Sequence, residues 1–191
     1  AGIKDVICYE KTDQIGGNWV YTATLSHSSI SITTHTISSK PMSQFSDFPM
    51  PPDYPDYPSH QQILAYFQAY AQHFQLEKYI RFQTAVLQVH KIQNERWRLT
   101  LSDGTQPEFD YLLVANGHLS NPRHPDWRRN FSGKYLHSHD FKSNHGLENQ
   151  RVLVVGAGNS GCDCAIEASR NAASVDMSLR SPQYVIPKLI M

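Results

Sequence analysis

The chain has 191 residues, 40% hydrophobic and 11% aromatic, with 17 basic residues balanced by 17 acidic ones. That is the composition of a folded globular protein, and a formal net charge of zero supplies no global field toward nucleic acid or an anionic membrane. No apolar run reaches the length of a membrane span, and nothing near the start resembles a signal peptide. The three cysteines (Cys8, Cys162, Cys164) lack C-x-x-C spacing, which argues for a reducing, cytoplasmic setting and against a disulfide framework.

In chain order, Asp5-Val-Ile-Cys-Tyr-Glu10 reads as a strand ending in an acid, with Gly16-Gly17-Asn18-Trp19 a short loop later. An acid closing the second strand of a Rossmann unit binds an adenosine ribose, and its glycine-rich turn belongs about 20 residues earlier. That position precedes Ala1, so the expectation is of a chain truncated at its start, with Ala1–Lys4 the tail of the intervening helix. An ordinary surface acid is the other reading of Glu10. From Thr22 to Thr36 the chain is rich in Ser, Thr and His without clean periodicity, the pattern of a loop with short strand pieces.

Pro49, Pro52, Pro55 and Pro58 recur every third residue, the spacing of a polyproline II ligand for an SH3-like partner. The density of Phe45, Phe48, Tyr54 and Tyr57 favours a rigid loop packed on the domain instead. Ser59-His-Gln-Gln62 is a capping box, and Ile63, Phe67, Tyr70, Ala71 and Phe74 mark one face of the helix that follows. Between Tyr79 and Val114 three or four strands alternate. Trp97–Leu101 is strictly period two, Asp103-Gly104 signals a hairpin turn, and Phe109–Ala115 reads as a buried strand ending at Asn116-Gly117-His118. His137, His139 and Asp140 suggest a metal site, but both histidines on a strand complete no tetrahedron, and none is assigned.

Arg151–Val155 is a buried parallel strand by pattern. It leads into Gly156-Ala-Gly158-Asn159-Ser160-Gly161, then a helical Cys162–Arg170 and a second strand-like run, Ala173–Leu179. This is the βαβ unit of a dinucleotide-binding fold. Gly156 makes the tight turn, Gly158 admits the pyrophosphate, and Gly161 lets helix and strand close up over the helix N-terminus. The second strand runs to Arg180 in place of an acid, which suits a 2′-phosphate and favours NADP over NAD. A complete nucleotide domain needs more strands than the stretch to Met191 holds, so truncation is expected at this end as well.

Phe131-x-Gly133-x-x-x-His137-x-x-x-Phe141-Lys142 resembles the fingerprint of the flavin-containing monooxygenases, a family that includes bacterial and Baeyer–Villiger relatives. Gly156-x-Gly158-Asn159-Ser160-Gly161-Cys162-Asp163 is similar to that family's NADPH turn. Glu10 and Gly16–Trp19 match its FAD segment, and Lys40-x-Met42-x-x-Phe45 with Pro58-Ser-His60 match the region between. Val114-Ala-Asn-Gly-His118 resembles the A-T-G-x linker, with Asn116 for threonine. The resemblance implies an incomplete α/β flavoprotein of two Rossmann-like dinucleotide domains: a partial FAD domain with a β-meander over residues 1–148, and the start of an NADPH domain over 149–191.

The implied function is monooxygenation with FAD and NADPH. One oxygen atom of O2 passes through a C4a-hydroperoxyflavin to a small nitrogen- or sulfur-containing substrate or a ketone. By matched position Glu10 binds the FAD ribose, Gly16 and Gly17 belong to the FAD-binding segment, Asn18 and Trp19 line the flavin, Ser160–Asp163 bind the NADP pyrophosphate region and Arg180 its 2′-phosphate. His137 takes a structural role in joining the domains. Aligned on Lys40-x-Met42, the family's Ser-Asn pair beside the flavin falls on Thr36-Ile37, which loses an amide. Ser38 or Ser39 then has to serve, or reduced flavin decays to H2O2, which keeps an uncoupled NADPH oxidase as an alternative. A non-catalytic nucleotide-binding or proline-motif fragment is a further one. No individual catalytic residue is assigned.

Overall fold

A computed structural model describes residues 5–24, 26–182 and 184. The chain divides into two compact units, one made of Ala1–Gly17 with Ala65–Gly117 and the other of Asn18–Leu64 with His118–Met191. Ala1–Lys4, expected as a helix tail, lies outside the described residues.

In the first unit, β1 (Cys8–Tyr9) pairs in parallel with β2 (Ile80–Arg81), and the Glu10 N–H extends the ladder to the Arg81 carbonyl at 3.1 Å. The expected strand over Asp5–Glu10 is thus two residues long, because β2 offers an edge of only that length. Next comes an antiparallel meander of β3 (Val86–Lys91), β4 (Trp97–Leu101) and β5 (Glu108–Phe109). Its hairpin turns where expected. Gly104 takes φ 85° and donates to the Leu101 carbonyl, while the Asp103 carboxylate accepts from the Thr105 N–H (2.9 Å) and hydroxyl (2.7 Å). The Thr105 bonds, with Arg81 beside them, hold the Asp103 carboxyl below its ordinary range. Across β4 and β5, Glu108 accepts from both Arg98 (2.7 Å) and Arg96 (2.9 Å).

Phe109–Ala115 is not a buried strand. Only Glu108–Phe109 pairs, and Tyr111 and Leu113 are 84% and 91% exposed. A strand exists only against an edge, and among the described residues no neighbour offers one to 110–115.

The 3-10 turn Gly17–Trp19 spans the sequence boundary of the two units, and in the second unit irregular chain follows, with isolated bridges from His35 to Ser59 and from Phe45 to Phe48. A single helical turn, α1 (Lys40–Ser43), carries Lys40, whose Nζ donates to the carbonyls of Pro52 (3.0 Å), Tyr54 (2.7 Å) and Pro51 (3.5 Å). The Tyr54 N–H returns to the Pro51 carbonyl at 3.1 Å, so the proline segment is a folded loop that bends midway, with Met50 and Pro58 buried at its ends.

The capping box of α2 (His60–His73) is reciprocal. The Ser59 N–H donates to Gln62 Oε1 (2.9 Å), and the Gln62 N–H to Ser59 Oγ (3.4 Å). The buried face of α2 is Ile63, Tyr66 and Ala71, with Phe74 exposed, so the stripe is rotated from the one read in the sequence.

The chain closes with β6 (Arg151–Val155), α3 (Asn159–Ser169) and β7 (Ser174–Ser178). The two strands are parallel, with Arg151 opposite Ser174 through Val155 opposite Ser178. No helix among the described residues is long and apolar enough to cross a membrane.

Candidate cofactor site

The βαβ unit has the geometry that a dinucleotide requires. Gly156 sits at φ 105°, a conformation costly for any residue with a Cβ, and its N–H bonds the Ser178 carbonyl at 2.9 Å. That bond ties the turn to the end of β7, two residues before the exposed Arg180. Gly161 lies against the turn. A Cβ there would stand 2.3 Å from the Gly156 oxygen and 3.0 Å from its carbonyl carbon, so helix and strand can approach this closely only without a side chain. Gly158, the N-cap of α3, has the opposite surroundings, with nothing within 4 Å of an added Cβ.

The first turn of α3 carries no acid, and Asn159 and Ser160 are exposed in it. A free helix N-terminus beside an open backbone is a site for a pyrophosphate. The residues present therefore fit a dinucleotide. The helix begins at Asn159, inside the glycine turn, three residues earlier than the sequence pattern places it.

Cys162 Sγ donates to the Ala157 carbonyl at 3.7 Å and braces the turn from within. Burial, with Asp163 adding to it, pushes the Cys164 thiol up to about 11, so this cysteine is a packing residue and not a nucleophile. A cavity of about 310 Å³ separates α3 from the loop ahead of Thr36, with Thr33, Thr34 and His35 on one wall and Asp163, Glu167 and Arg170 on the other. Sequence reasoning missed this wall, because the 22–36 loop has no periodicity to point an eye at it.

Residues matched to the FAD segment fall in both units: Glu10, Gly16 and Gly17 in the first, Asn18, Trp19 and Thr36 in the second. Glu10 Oε1 accepts from the Thr12 N–H and hydroxyl, each at 2.7 Å, which fixes the carboxylate at the end of β1. Gly16 and Gly17 both take positive φ, 136° and 51°. Asn18 is more heavily engaged than the sequence suggests. Its Oδ1 accepts from the Ser29 N–H (2.8 Å) and hydroxyl (3.0 Å), and its backbone carbonyl from Ser28 Oγ (2.7 Å).

Thr36 is 6% exposed, and its Oγ1 is buried without a partner among the described residues. An unanswered buried hydroxyl is costly, and it suits a position beside a polar ligand. Its neighbour Ile37 is exposed. Of the two substitute donors, Ser38 Oγ shares a hydrogen bond with Ser43 Oγ (2.8 Å), whereas Ser39 makes no capping bond.

The fingerprint segment is a 3-10 turn, Ser138–Asp140, and not a strand. His137 caps it, accepting from the His139 N–H at 3.0 Å, so the backbone bends between the two histidines. His139 Nδ1 meets Asp140 at 2.6 Å, and the His137 ring lies edge-on to His124. Burial and the neighbouring His124 lower the pKa of His137. Among the described residues no three His, Cys, Asp or Glu side chains converge as metal ligands. Phe141 and Lys142 are buried, and the Asn144 side chain donates to the Glu167 carbonyl of α3 at 3.3 Å.

The sequence profile of the flavin-binding monooxygenase-like family matches residues 3–190. Human flavin-containing monooxygenase 2 is 40% identical over 95% of the chain, which spans 36% of that protein. Rat dimethylaniline monooxygenase [N-oxide-forming] 2 is 38% identical over 95% of the chain, again 36% of its own length. The chain thus spans little more than a third of the curated relatives it matches. Among solved structures, S-allyl-L-cysteine S-oxygenase from Allium sativum superposes with TM-score 0.85 at 24% identity, covering 95% of this chain and 47% of that one. Tmm from a Pelagibacter strain superposes with TM-score 0.84 at 25% identity, covering 93% and 44%. The fold is therefore that of the α/β flavoprotein monooxygenases.

Proposed function

The chain belongs to the flavin-binding monooxygenase-like family, and on that premise we propose that it is the cofactor-binding portion of an NADPH- and FAD-dependent monooxygenase acting on a nucleophilic nitrogen or sulfur, or on a ketone. Relatives named for N-oxide formation from dimethylaniline make a tertiary amine the first substrate to test. In this reading residues 1–148 belong to the FAD-binding domain and 149–191 open the NADPH-binding one.

The observation that carries the proposal is the paired behaviour of Gly158 and Gly161: one backbone open toward the helix N-terminus, the other closed against the turn. That is the division of labour a bound pyrophosphate requires. The α3 N–H groups of Asn159, Ser160 and Gly161, at the open Gly158 backbone and ahead of the Cys162 N–H that begins the helical ladder, would hold the NADP phosphates, and Arg180 the 2′-phosphate. Glu10 would take the flavin's adenosine ribose, while Asn18, Trp19 and Thr36, all of the second unit, would border the isoalloxazine. Bound FAD supplies hydride acceptance from NADPH and activation of O2. The protein's own contribution is to place the two nucleotides and to hold both in register.

The test is to add FAD to the purified chain, desalt, and record the visible spectrum with and without NADPH. A retained flavin that NADPH bleaches would extend the reading to this chain itself, with N,N-dimethylaniline as the amine to offer it. A colourless chain overturns the reading for these 191 residues. The exposed Ile37 favours one second reading, an uncoupled oxidase, which is recognised by NADPH consumption matched by H2O2 and no N-oxide.

A further inference from the structure

Lys142, the last residue of the fingerprint motif, is 7% exposed. Its Nζ donates to the Ser28 carbonyl, and its own carbonyl accepts from the Ile32 N–H at 2.9 Å. Ser28 is wholly buried, and its hydroxyl donates to the Asn18 carbonyl at 2.7 Å. The next residue, Ser29, binds Asn18 Oδ1 through both its N–H and its hydroxyl. An unbroken run of hydrogen bonds thus leads from a buried ammonium through two serines to the Asn18-Trp19 turn, and every member lies in one compact unit.

Burying an ammonium is expensive, and burial lowers the pKa of Lys142 accordingly. Hydrophobic packing alone would be served as well by methionine at this position. A cation on the Ser28 carbonyl fixes that peptide's orientation with a charge-assisted bond, stronger than a neutral donor could make. The N–H of that same peptide, on Ser29, donates to Asn18 Oδ1 at 2.8 Å.

We propose that Lys142 is a positioning residue for the flavin: acting through Ser28 and Ser29, it sets the Asn18-Trp19 turn that borders the isoalloxazine. The inference rests on the flavin assignment of that turn made above.

The experiment compares wild type, Lys142→Met, Lys142→Arg and Ser28→Ala in three readouts: amide hydrogen exchange over residues 17–20, FAD affinity by flavin fluorescence, and NADP⁺ affinity at the glycine turn. Lys142→Met is expected to speed exchange at 17–20 and to weaken FAD by about tenfold, the scale of one lost bond to a charged group. NADP⁺ affinity stays unchanged, which separates lost positioning from lost folding. Lys142→Arg is expected to recover part of the FAD affinity.

Should Lys142→Met lose both nucleotides through misfolding, Ser28→Ala decides. It removes one hydroxyl without adding volume, and it should weaken FAD several-fold with NADP⁺ intact. Unchanged FAD affinity and exchange in a folded Lys142→Met, or in Ser28→Ala, overturn the proposal. A wild-type chain that takes up no FAD overturns the underlying flavin reading instead, and this inference with it.

Discussion

Two glycines three positions apart carry opposite demands, and the difference is measurable. Gly161→Ala places a Cβ 2.3 Å from the Gly156 oxygen, so the turn or the helix has to move, and a loss of about 1–3 kcal/mol in unfolding free energy is expected. Gly158→Ala meets nothing within 4 Å and has a negative φ, so its stability should stay within about 0.5 kcal/mol of wild type. NADP⁺ affinity should nonetheless fall by about tenfold or more in Gly158→Ala, because the methyl stands where backbone meets phosphate. Denaturant melts set beside NADP⁺ titrations check the pair, and a Gly158→Ala variant that binds normally sinks the phosphate assignment. The place of Gly158 at the start of α3 was visible in sequence because spacing alone specifies it. The engagement of Asn18 was not: its partners Ser28 and Ser29 sit in a loop with no period, and only coordinates bring them together.

Among the elements, those that close over a short span were the legible ones. Strand, turn, helix and strand over 151–178 each carry their own signal in pattern and glycine placement. Yet α3 starts three residues early, and β6, expected to be buried, leaves Leu153 and Val155 exposed, because among the described residues only one strand and one helix of the unit cover it. The capping box of α2 is equally local. Ser59→Ala removes the hydroxyl that accepts the Gln62 N–H, and a loss of about 1 kcal/mol in stability is expected from chemical denaturation. An unshifted midpoint would mean that the 3.4 Å contact contributes nothing. Strand 109–115 failed as an expectation for the reverse reason. Its apolar run marks where a strand can form, but pairing needs an edge from elsewhere, and β5 stops after two residues. The fingerprint segment misled differently, since its alternating histidines suit a strand while His137 caps a 3-10 turn.

For the molecule as a whole, acid should be the destabilising direction before carboxylates are reached. Burial lowers the pKa of His60, offset in part by hydrogen bonds to the Ile32 and Trp19 backbone, and lowers that of His137. Unfolded histidines titrate near about 6.5. Both groups therefore contribute stability that is present above that value and is lost as pH falls through their depressed folded values. The melting temperature should decline between pH 7.5 and 5, and a flat profile across that interval would count against the buried neutral state of both rings. The two parallel pairings also differ in a way that bears on assembly. β1 meets β2 across 72 positions (8 against 80), whereas β6 meets β7 across 23 (151 against 174). Loop closure makes the longer span about 1 kcal/mol more expensive in chain entropy. The βαβ unit thus closes on itself at the lower entropic cost, and the short N-terminal ladder, only two residues long, is the contact a folding chain has least reason to make early.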